Sequence, residues 1–478
     1  MKSEKKIIKK NSSSFLDTLK GIFTNKIVLV SLSITFFLII FFHFASTITL
    51  PGIEVPTNYK EASTSFVGML NLLAGGGLTR MSLFAVGVGP YITAQIISQL
   101  LSSDLIKPLS KLAKAGERGR KKIEILTRII TLPFAVAQSY AVIALILNNN
   151  SNASADQMIK IFGHDSLSDM SAIETFSLIG IFSAGTYISI FIGDMITKRG
   201  VGNGVTLLIL VGIVSSLFSD IQVSFLTIAN KIGGFDNSVN ILSIVLSCFL
   251  YILFFIIVLF IIIFVNDSVR KIPIQQTGQG LITDIDSLPY LPIKVNAAGV
   301  IPVIFASSIM TIPGTIAQFL SNGEAKWFIT NYLVIDSVSG LITYFFLIFI
   351  FVFFYSYIQI NPQQLAENFE KSGKFIPGVK MGTNTEKHIT KVLTRINWIG
   401  APFLGIVAIL PYVISMISGI PSGVALGGTS LIIIVSATIE LWNSIKSAST
   451  ITGYSITRTR IQSKIYESST TEEVQQLW

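Results

Sequence analysis

The sequence is poor in the residues that catalytic and metal sites need. It has one cysteine, Cys248, and three histidines, and 13% of its 478 residues are charged. A lone cysteine inside an apolar run excludes an intramolecular disulfide framework and a cysteine-based zinc site. The HExxH and GxSxG motifs are missing, and the carboxylates lie almost wholly between the apolar runs. We therefore predict no catalytic residues, no metal ligands and no cofactor, which disfavours an intramembrane enzyme.

Charge is also scarce inside the apolar runs. Glu440 and His43 lie near the ends of their runs, whereas ion-coupled transporters usually carry charged side chains near the bilayer midplane. A secondary solute transporter is therefore the less favoured alternative. Isolated glutamines and histidines in such runs more often make helix-packing contacts than ligand sites.

What the sequence does have is apolar length: 51% of its residues are hydrophobic and the mean hydropathy is +0.67. A bilayer core of about 30 Å takes about 20 apolar residues per helix. The last run, 396–439, is twice that length and contains the turn signal SGIPSG at 418–423. We count ten spans, in charge-free runs at 27–50, 81–103, 129–147, 175–193, 201–219, 241–265, 295–319, 338–360 and, divided in two, 396–439.

The distribution of lysine and arginine predicts the orientation. Thirty of the 35 basic residues fall in the N-terminus, residues 102–128, 198–199, 266–294, 361–395 and the C-terminal tail taken with the preceding Lys446. The positive-inside rule places these segments, and both termini, in the cytosol of a multi-pass plasma-membrane protein. The first run is too long for a signal-peptide core, so it is predicted to be retained. The positive charge has two alternative explanations. In the first, the basic residues only set the topology and contact anionic lipid. In the second, the long loops 266–294 and 361–395 also bind a polyanion such as ribosomal RNA.

Residues 66–80, FVGMLNLLAGGGLTR, are too short and too rich in glycine to cross a bilayer. Three consecutive glycines weaken a helix by about 1 kcal/mol each relative to alanine. This pattern is typical either of a re-entrant half-helix or of an ordinary interfacial loop.

Six strings, in order along nearly the whole chain, closely resemble the SecY family of protein-conducting channels. The family implies an all-α membrane protein of ten helices in two pseudo-symmetric five-helix halves, with a re-entrant plug helix and no enzymatic activity. The strings are GGGLTRMSLFAVGVGPYITAQIISQLL (75–101), KAGERGRKK (114–122), ITKRGVGNG (196–204), LPIKVNAAGVIPVIFASSI (291–309), SGKFIPGVKMGTNTEKHI (372–389) and GGTSL (427–431).

The resemblance implies specific roles for named residues. The plug lies at 66–80 and includes Leu73, Gly75, Gly76, Gly77 and Arg80. Helices two, three, seven and eight form a lateral gate, with Gln138 and Ser308 as polar contacts. A ring of aliphatic side chains, here called the pore ring, closes the channel around the chain in transit: Val88, Ile92, Val205, Ile209, Ile304 and Ile433.

The resemblance also predicts a docking face on the two long loops. Arg270, Lys271 and Lys380, here called the docking set, match basic positions of the family. The tip QQTGQG (275–280) lacks the basic cluster often found there, and Lys380-Met381 replaces a typical arginine-proline pair, which keeps the charge but loses the bidentate geometry of arginine. Either the ribosome with its RNA or the motor ATPase SecA could dominate docking.

The implied division of the chain is a cytosolic segment 1–26, a first half 27–219, an extracytoplasmic hinge loop 220–240, a second half 241–447 and a cytosolic tail 448–478. Five helices per half invert the second half relative to the first, as in an inverted repeat. Implied partners are SecE, SecG, the ribosome, SecA, YidC, SecDF, membrane lipids, and nascent or secretory polypeptides.

Overall fold

The computed structural model describes residues 25–54, 70–71, 74–78, 80–102, 109, 112, 115–150, 159–164, 166, 169–232, 238–277, 288–320, 323–335, 337–418 and 429–449. Within this part of the chain the fold is helical, as predicted, with three short two-stranded sheets between helices. Leu73, the loop tip 278–280 and the C-terminal tail from 450 lie outside the described residues.

Eighteen helices and strands are described here in chain order. They are α1 (Lys26–Thr47), β1 (Ile53–Glu54), α2 (Gly89–Leu100), α3 (Glu117–Asn150), β2 (Lys160–Ile161), α4 (Ala172–Arg199), α5 (Gly204–Ile232), α6 (Ser238–Asp267), β3 (Val269–Pro273), β4 (Gln275–Gln276), β5 (Tyr290–Lys294), α7 (Ile301–Phe319), α8 (Glu324–Phe328), α9 (Val338–Ile360), α10 (Pro362–Lys371), β6 (Lys374–Phe375), α11 (Thr383–Ser418) and α12 (Thr429–Ser449). A π-helical turn, Ile329–Leu333, follows α8.

Among the described residues, nine helices are long and apolar enough to span a bilayer. They are α1, α3, α4, α5, α6, α7, α9, α11 and α12. The predicted division of run 396–439 is confirmed, because α11 and α12 are separate helices.

The second predicted span, 81–103, is not among these nine: its α-helix runs from Gly89 to Leu100, which gives a rise of about 18 Å. Met81 and Gly87 have φ angles of +47° and +57°, and Pro90 stands in the first turn of α2. Positive φ angles interrupt a right-handed helix, and proline fits the first turn of a helix well, because the N–H that it lacks would have no partner there. The second span is therefore a short helix preceded by an irregular segment, 81–88.

A second difference concerns the predicted hinge loop 220–240. Helix α5 continues to Ile232 and α6 begins at Ser238, so only residues 233–237 separate the two helices. The segment IQVSFLTIANKI is apolar enough to extend α5 by three turns beyond the charge-free run. The division into two five-helix halves itself remains a prediction.

Exposure along the helices fits a lipid environment. Phe36 and Phe37 of α1 and Phe260 and Phe264 of α6 are 64–68% exposed. Helix α7 is the most enclosed of the spanning helices described, with two-thirds of its most apolar 18-residue window buried. A helix that leaves most of its apolar side chains exposed must face hydrocarbon or another protein, which applies to α1 and to α6.

The chain divides into two compact units. The first comprises Met1–His43, Phe191–Leu208 and Ala437–Trp478. Inside it, the Thr35 hydroxyl accepts the Val201 N–H at 2.9 Å and donates to the Ser31 carbonyl at 2.9 Å. A Cβ on Gly204 would lie 1.9 Å from the Gly193 carbonyl oxygen, so the α4 and α5 backbones touch here and only glycine fits.

The second unit comprises Phe44–Ile190 and Ile209–Ser436. Its helices α7, α9 and α11 pack in series, and α2 packs on α3. Trp398 of α11 contacts the rings of Phe349 and Phe353 of α9 at 5.6 and 6.0 Å. Asn266 at the end of α6 donates to Ser436 of α12 and accepts from Asn296 before α7, which satisfies polar groups buried among these helices.

Candidate functional site

The predicted plug is a tightly turned segment within the second unit. The Ala74 N–H donates to the Leu70 carbonyl at 2.8 Å, and the Gly76 N–H donates to the Asn71 carbonyl at 3.0 Å. Gly75 and Gly76 have φ angles of +67° and +83°, which a side chain would strain. The helical turn at 70–71 therefore ends in the glycines, and the chain reverses into the segment that leads to α2.

Further hydrogen bonds hold this reversal together. Ser82 donates from both its N–H and its hydroxyl to the Gly77 carbonyl at 3.2 Å, and its hydroxyl accepts the Phe84 N–H at 3.2 Å. A Cβ on Gly77 would lie 2.8 Å from the Phe84 carbonyl oxygen. Arg80 is exposed at the edge of the segment.

Apolar side chains enclose the plug segment. One buried cluster contains plug residues, residues of α3 and α4, and residues of the two-stranded β1–β2 sheet. On the plug side it includes Leu70, Ala74 and Leu78, and their partners include Val142, Ile143, Phe182, Ile53 and Ile161. Three described residues of the predicted plug segment are thus buried among these elements, which favours the re-entrant segment over the ordinary interfacial loop.

The candidate pore-ring residues of the second unit are enclosed. Val88, Ile92, Ile209, Ile304 and Ile433 are each 5% exposed or less. Val88 is the N-cap of α2, and the Ile92 N–H donates to its carbonyl at 3.1 Å, so the two residues are one turn apart, as predicted. Helix α7, which carries Ile304, packs against α2. Val205, in the first unit, is half-buried.

The helices that were predicted to form the lateral gate pack against one another, and their contact is here called the seam. Helix α7 packs against both α2 and α3 on one side and against α9 on the other. Gln138 and Ser308 are buried at 4% and 0% exposure. The Ser308 hydroxyl donates to the Ile304 carbonyl at 2.9 Å, so it is bonded within its own helix.

A contact across this seam was not predicted. The rings of Tyr140 of α3 and Phe319 of α7 stack with centroids 4.6 Å apart. Phe319 is the last residue of α7, whereas Tyr140 lies within α3, and the two residues are 179 positions apart in the chain. No local pattern in the sequence signals such a pair.

The two long loops meet in one small domain, here called the loop domain, built from β3 to β6, α10 and the first turns of α11. Strand β3 pairs with β5, and β4 pairs with β6. Thr277 of the first loop donates from its N–H and its hydroxyl to the Gly373 carbonyl of the second, at 2.9 and 2.8 Å. A shared apolar core lies beneath: Ile272, Ile274, Ile293, Phe369, Ile376, Ile389 and Leu393.

The docking set is exposed on this domain. Arg270 and Lys271 lie on β3, and the Lys271 ammonium stands 4.9 Å from the centre of the Tyr290 ring. Lys380 lies in a turn between Gly378 and Gly382, whose φ angles are +81° and +86°. Three charges that the sequence scatters over 111 positions therefore belong to one folded surface element.

Sequence reasoning missed three further basic residues of the loop domain. Lys387, Lys391 and Arg395 are all exposed on α11. Their spacing of four residues places them on one helix face, opposite the buried Ile389 and Leu393. The four-residue spacing was visible in the sequence. Only the burial of Ile389 and Leu393 in the core of the loop domain shows that this basic face of α11 is the exposed one.

Comparisons with known proteins agree with this geometry. The fold and the site define a multi-spanning helical membrane protein with a segment, 70–80, packed against its helices. The family model SecY matches residues 82–442. Two curated relatives named "Protein translocase subunit SecY" are similar over most of their length. That of Mycoplasmoides gallisepticum is 53% identical over 92% of this chain and 86% of its own, and that of Mycoplasma pneumoniae is 48% identical over 98% and 96%.

The chain therefore belongs to the SecY family and is a protein translocase subunit, which confirms the resemblance and the fold class. A solved structure described as "The structure of a protein conducting channel" has a TM-score of 0.60, at 17% identity, over 87% of this chain and 92% of its own. A second, described as Sec61 in a canine ribosome-channel complex, has a TM-score of 0.56 over the same shares.

Proposed function

We propose that the chain is the central channel through which unfolded secretory polypeptides cross the plasma membrane and from which apolar segments leave sideways into lipid. The observation that carries this proposal is the combination of an enclosed plug segment with buried aliphatic residues on α2, α5, α7 and α12. A constriction of such side chains closes a pore to ions by excluding water, without a charged filter.

In this proposal the pore ring contacts the moving chain. Branched aliphatic side chains offer an extended polypeptide neither hydrogen bonds nor charge, so the chain passes without being held. The plug fills the path when no substrate is present and moves aside when one enters. Ion impermeability at rest then depends on packing.

The seam of α7 against α2 and α3 would be the lateral gate. Opening it would connect the pore with lipid, and an apolar segment would leave because its transfer gains about 25 cal/mol for each Å² removed from water. This step needs no nucleotide, since the free energy comes from the segment itself. Gln138 and Ser308 are buried near this seam and would be the polar contacts that a passing segment meets.

The loop domain would be the cytosolic docking face, with both termini on the same side. Its exposed basic residues support a partner rich in negative charge, either ribosomal RNA or an acidic surface of the motor ATPase SecA. SecE, SecG, YidC and SecDF would complete the assembly in the plasma membrane. The exposed apolar faces of α1 and α6 support contact with lipid or with such subunits.

A site-specific crosslinker tests the proposal. A photoreactive residue at Ile304 should crosslink to a stalled secretory chain, because Ile304 would line its path. The same residue at Phe260, which is 68% exposed on α6, is the matched control and should crosslink to lipid instead. A stalled chain that never crosslinks to position 304, together with uphill transport of a small solute by the reconstituted protein, would contradict a polypeptide channel.

A further inference from the structure

The plug segment touches α5 through backbone atoms at one glycine. A Cβ built on Gly212 would lie 2.1 Å from the carbonyl carbon of Gly75, 2.2 Å from its Cα and 2.4 Å from its oxygen. Ordinary carbon contacts are 3.5–4.0 Å. Any side chain at position 212 would therefore displace the plug or the helix by more than an ångström.

Gly212 has no conformational reason of its own to be glycine. It lies inside α5, and its φ is not among the positive values that glycine alone adopts readily. Glycine in a helix interior is disfavoured against alanine by about 1 kcal/mol. The close approach of the plug is the feature of this structure that requires a missing side chain there.

The geometry points to Gly212 as the seat of the plug, a positioning residue for the closed channel. This inference rests on the proposed channel function. Gly212 follows Ile209 of the pore ring by three residues, so the same helix carries a ring residue and the plug seat. The plug can thus pack directly against the α5 backbone, because the residue of α5 at this contact, Gly212, has no side chain.

A second close approach supports the same arrangement. A Cβ on Gly87 would lie 2.3 Å from the Ala74 Cα, so the plug is also pressed against the segment that leads into α2. Gly87 has a positive φ, however, and a substitution there would strain the backbone whatever the plug did. Gly212 is therefore the position at which an added methyl group reports on the plug.

The test is the substitution Gly212→Ala, measured as ion flux through reconstituted or cell-embedded channels without substrate. We expect about a tenfold increase in resting flux, because the added methyl group overpacks this contact and the plug is the movable partner. The matched control is Gly180→Ala in α4, where a Cβ meets no atom within 4 Å. This control should conduct as the unmodified chain does.

Deleting residues 70–80 separates a seat from a merely structural glycine. In the deleted chain the resting flux should be high, and Gly212→Ala should add nothing to it. If Gly212→Ala blocks membrane accumulation of the full chain, the deletion should restore accumulation. The inference would be overturned if Gly212→Ala lowered membrane accumulation equally in the full chain and in the deleted chain. An unchanged resting flux of the full chain carrying Gly212→Ala would overturn it as well.

The outcome can be distinguished from failure of the channel proposal. If position 304 still crosslinks to a stalled secretory chain while Gly212→Ala has no effect, only the seat is wrong. If the deletion of residues 70–80 changes no flux and position 304 never crosslinks, the channel itself is wrong.

Discussion

The stacked pair across the α3–α7 seam offers the sharpest test of the lateral gate. Phe319→Ala removes a ring that lies 4.6 Å from that of Tyr140. Phe319 is 52% exposed, and in a bilayer the exposed part meets hydrocarbon, so its separation from Tyr140 costs no hydrophobic free energy. What remains is the ring-ring term, about 0.5–1.5 kcal/mol.

That energy belongs to the closed seam alone, because opening separates α3 from α7. Its loss should raise the ratio of open to closed seams by about 2- to 13-fold. The assay is export of a reporter whose signal sequence has a shortened apolar run, since a weak signal depends most on spontaneous opening. Export should rise by a factor in this range, while a reporter with a strongly apolar signal should be exported as before.

Two further variants make the result decisive. Phe260→Ala, on the exposed face of α6, removes the same atoms away from the seam and should leave export unchanged. Tyr140→Ala should act like Phe319→Ala, and the double variant should act like either single variant, because one contact can be lost only once. Effects that multiply in the double variant would refute the reasoning.

Three predictions concern the other surfaces. Replacing Ile92, Ile209 and Ile304 together with glycine should make resting membranes conduct ions, and unchanged conductance would remove these residues from the pore ring. Reversing the charge of the docking set should weaken binding of ribosomes or of the motor ATPase, and this loss of binding should become smaller as the salt concentration is raised. The control is Lys160→Glu on β2, which should leave binding unchanged. Equal binding at low and at physiological salt would contradict an electrostatic interface. Leu393→Ala, in the buried core of the loop domain, should cost about 2–5 kcal/mol and speed proteolysis of that domain; an unchanged cleavage rate would show that this core does not hold the domain together.

The sequence alone carried most of the helix pattern. Charge-free runs predicted nine of the spanning helices because a bilayer imposes a minimum apolar length. The split of the last run was visible at SGIPSG, since glycine and proline interrupt a helix. Counting apolar residues was less reliable at 81–88. This stretch is apolar and was predicted to be part of a span, but Met81 and Gly87 have positive φ angles, and the segment is not helical.

The family motifs indicated which residues belong to the site, but they did not show how those residues are arranged in space. Burial of Val88, Ile92, Ile209, Ile304 and Ile433 agrees with their placement in a ring. Closure of the ring, the halves and their hinge stay predictions. The loop domain shows the limit of motif reading, because Arg270 and Lys380 match separate strings and nothing in either string reveals that β4 pairs with β6.

The sequence by itself determined that this chain lies in a membrane, where its nine long apolar helices lie among the described residues and which family it belongs to, because apolar length and motif order are properties of consecutive residues. Only the tertiary structure decided where the plug rests, which rings stack across the seam and which two loops form one domain. These features depend on atoms far apart in the chain, such as Gly75 against Gly212, whose distance is set by packing rather than by local preference.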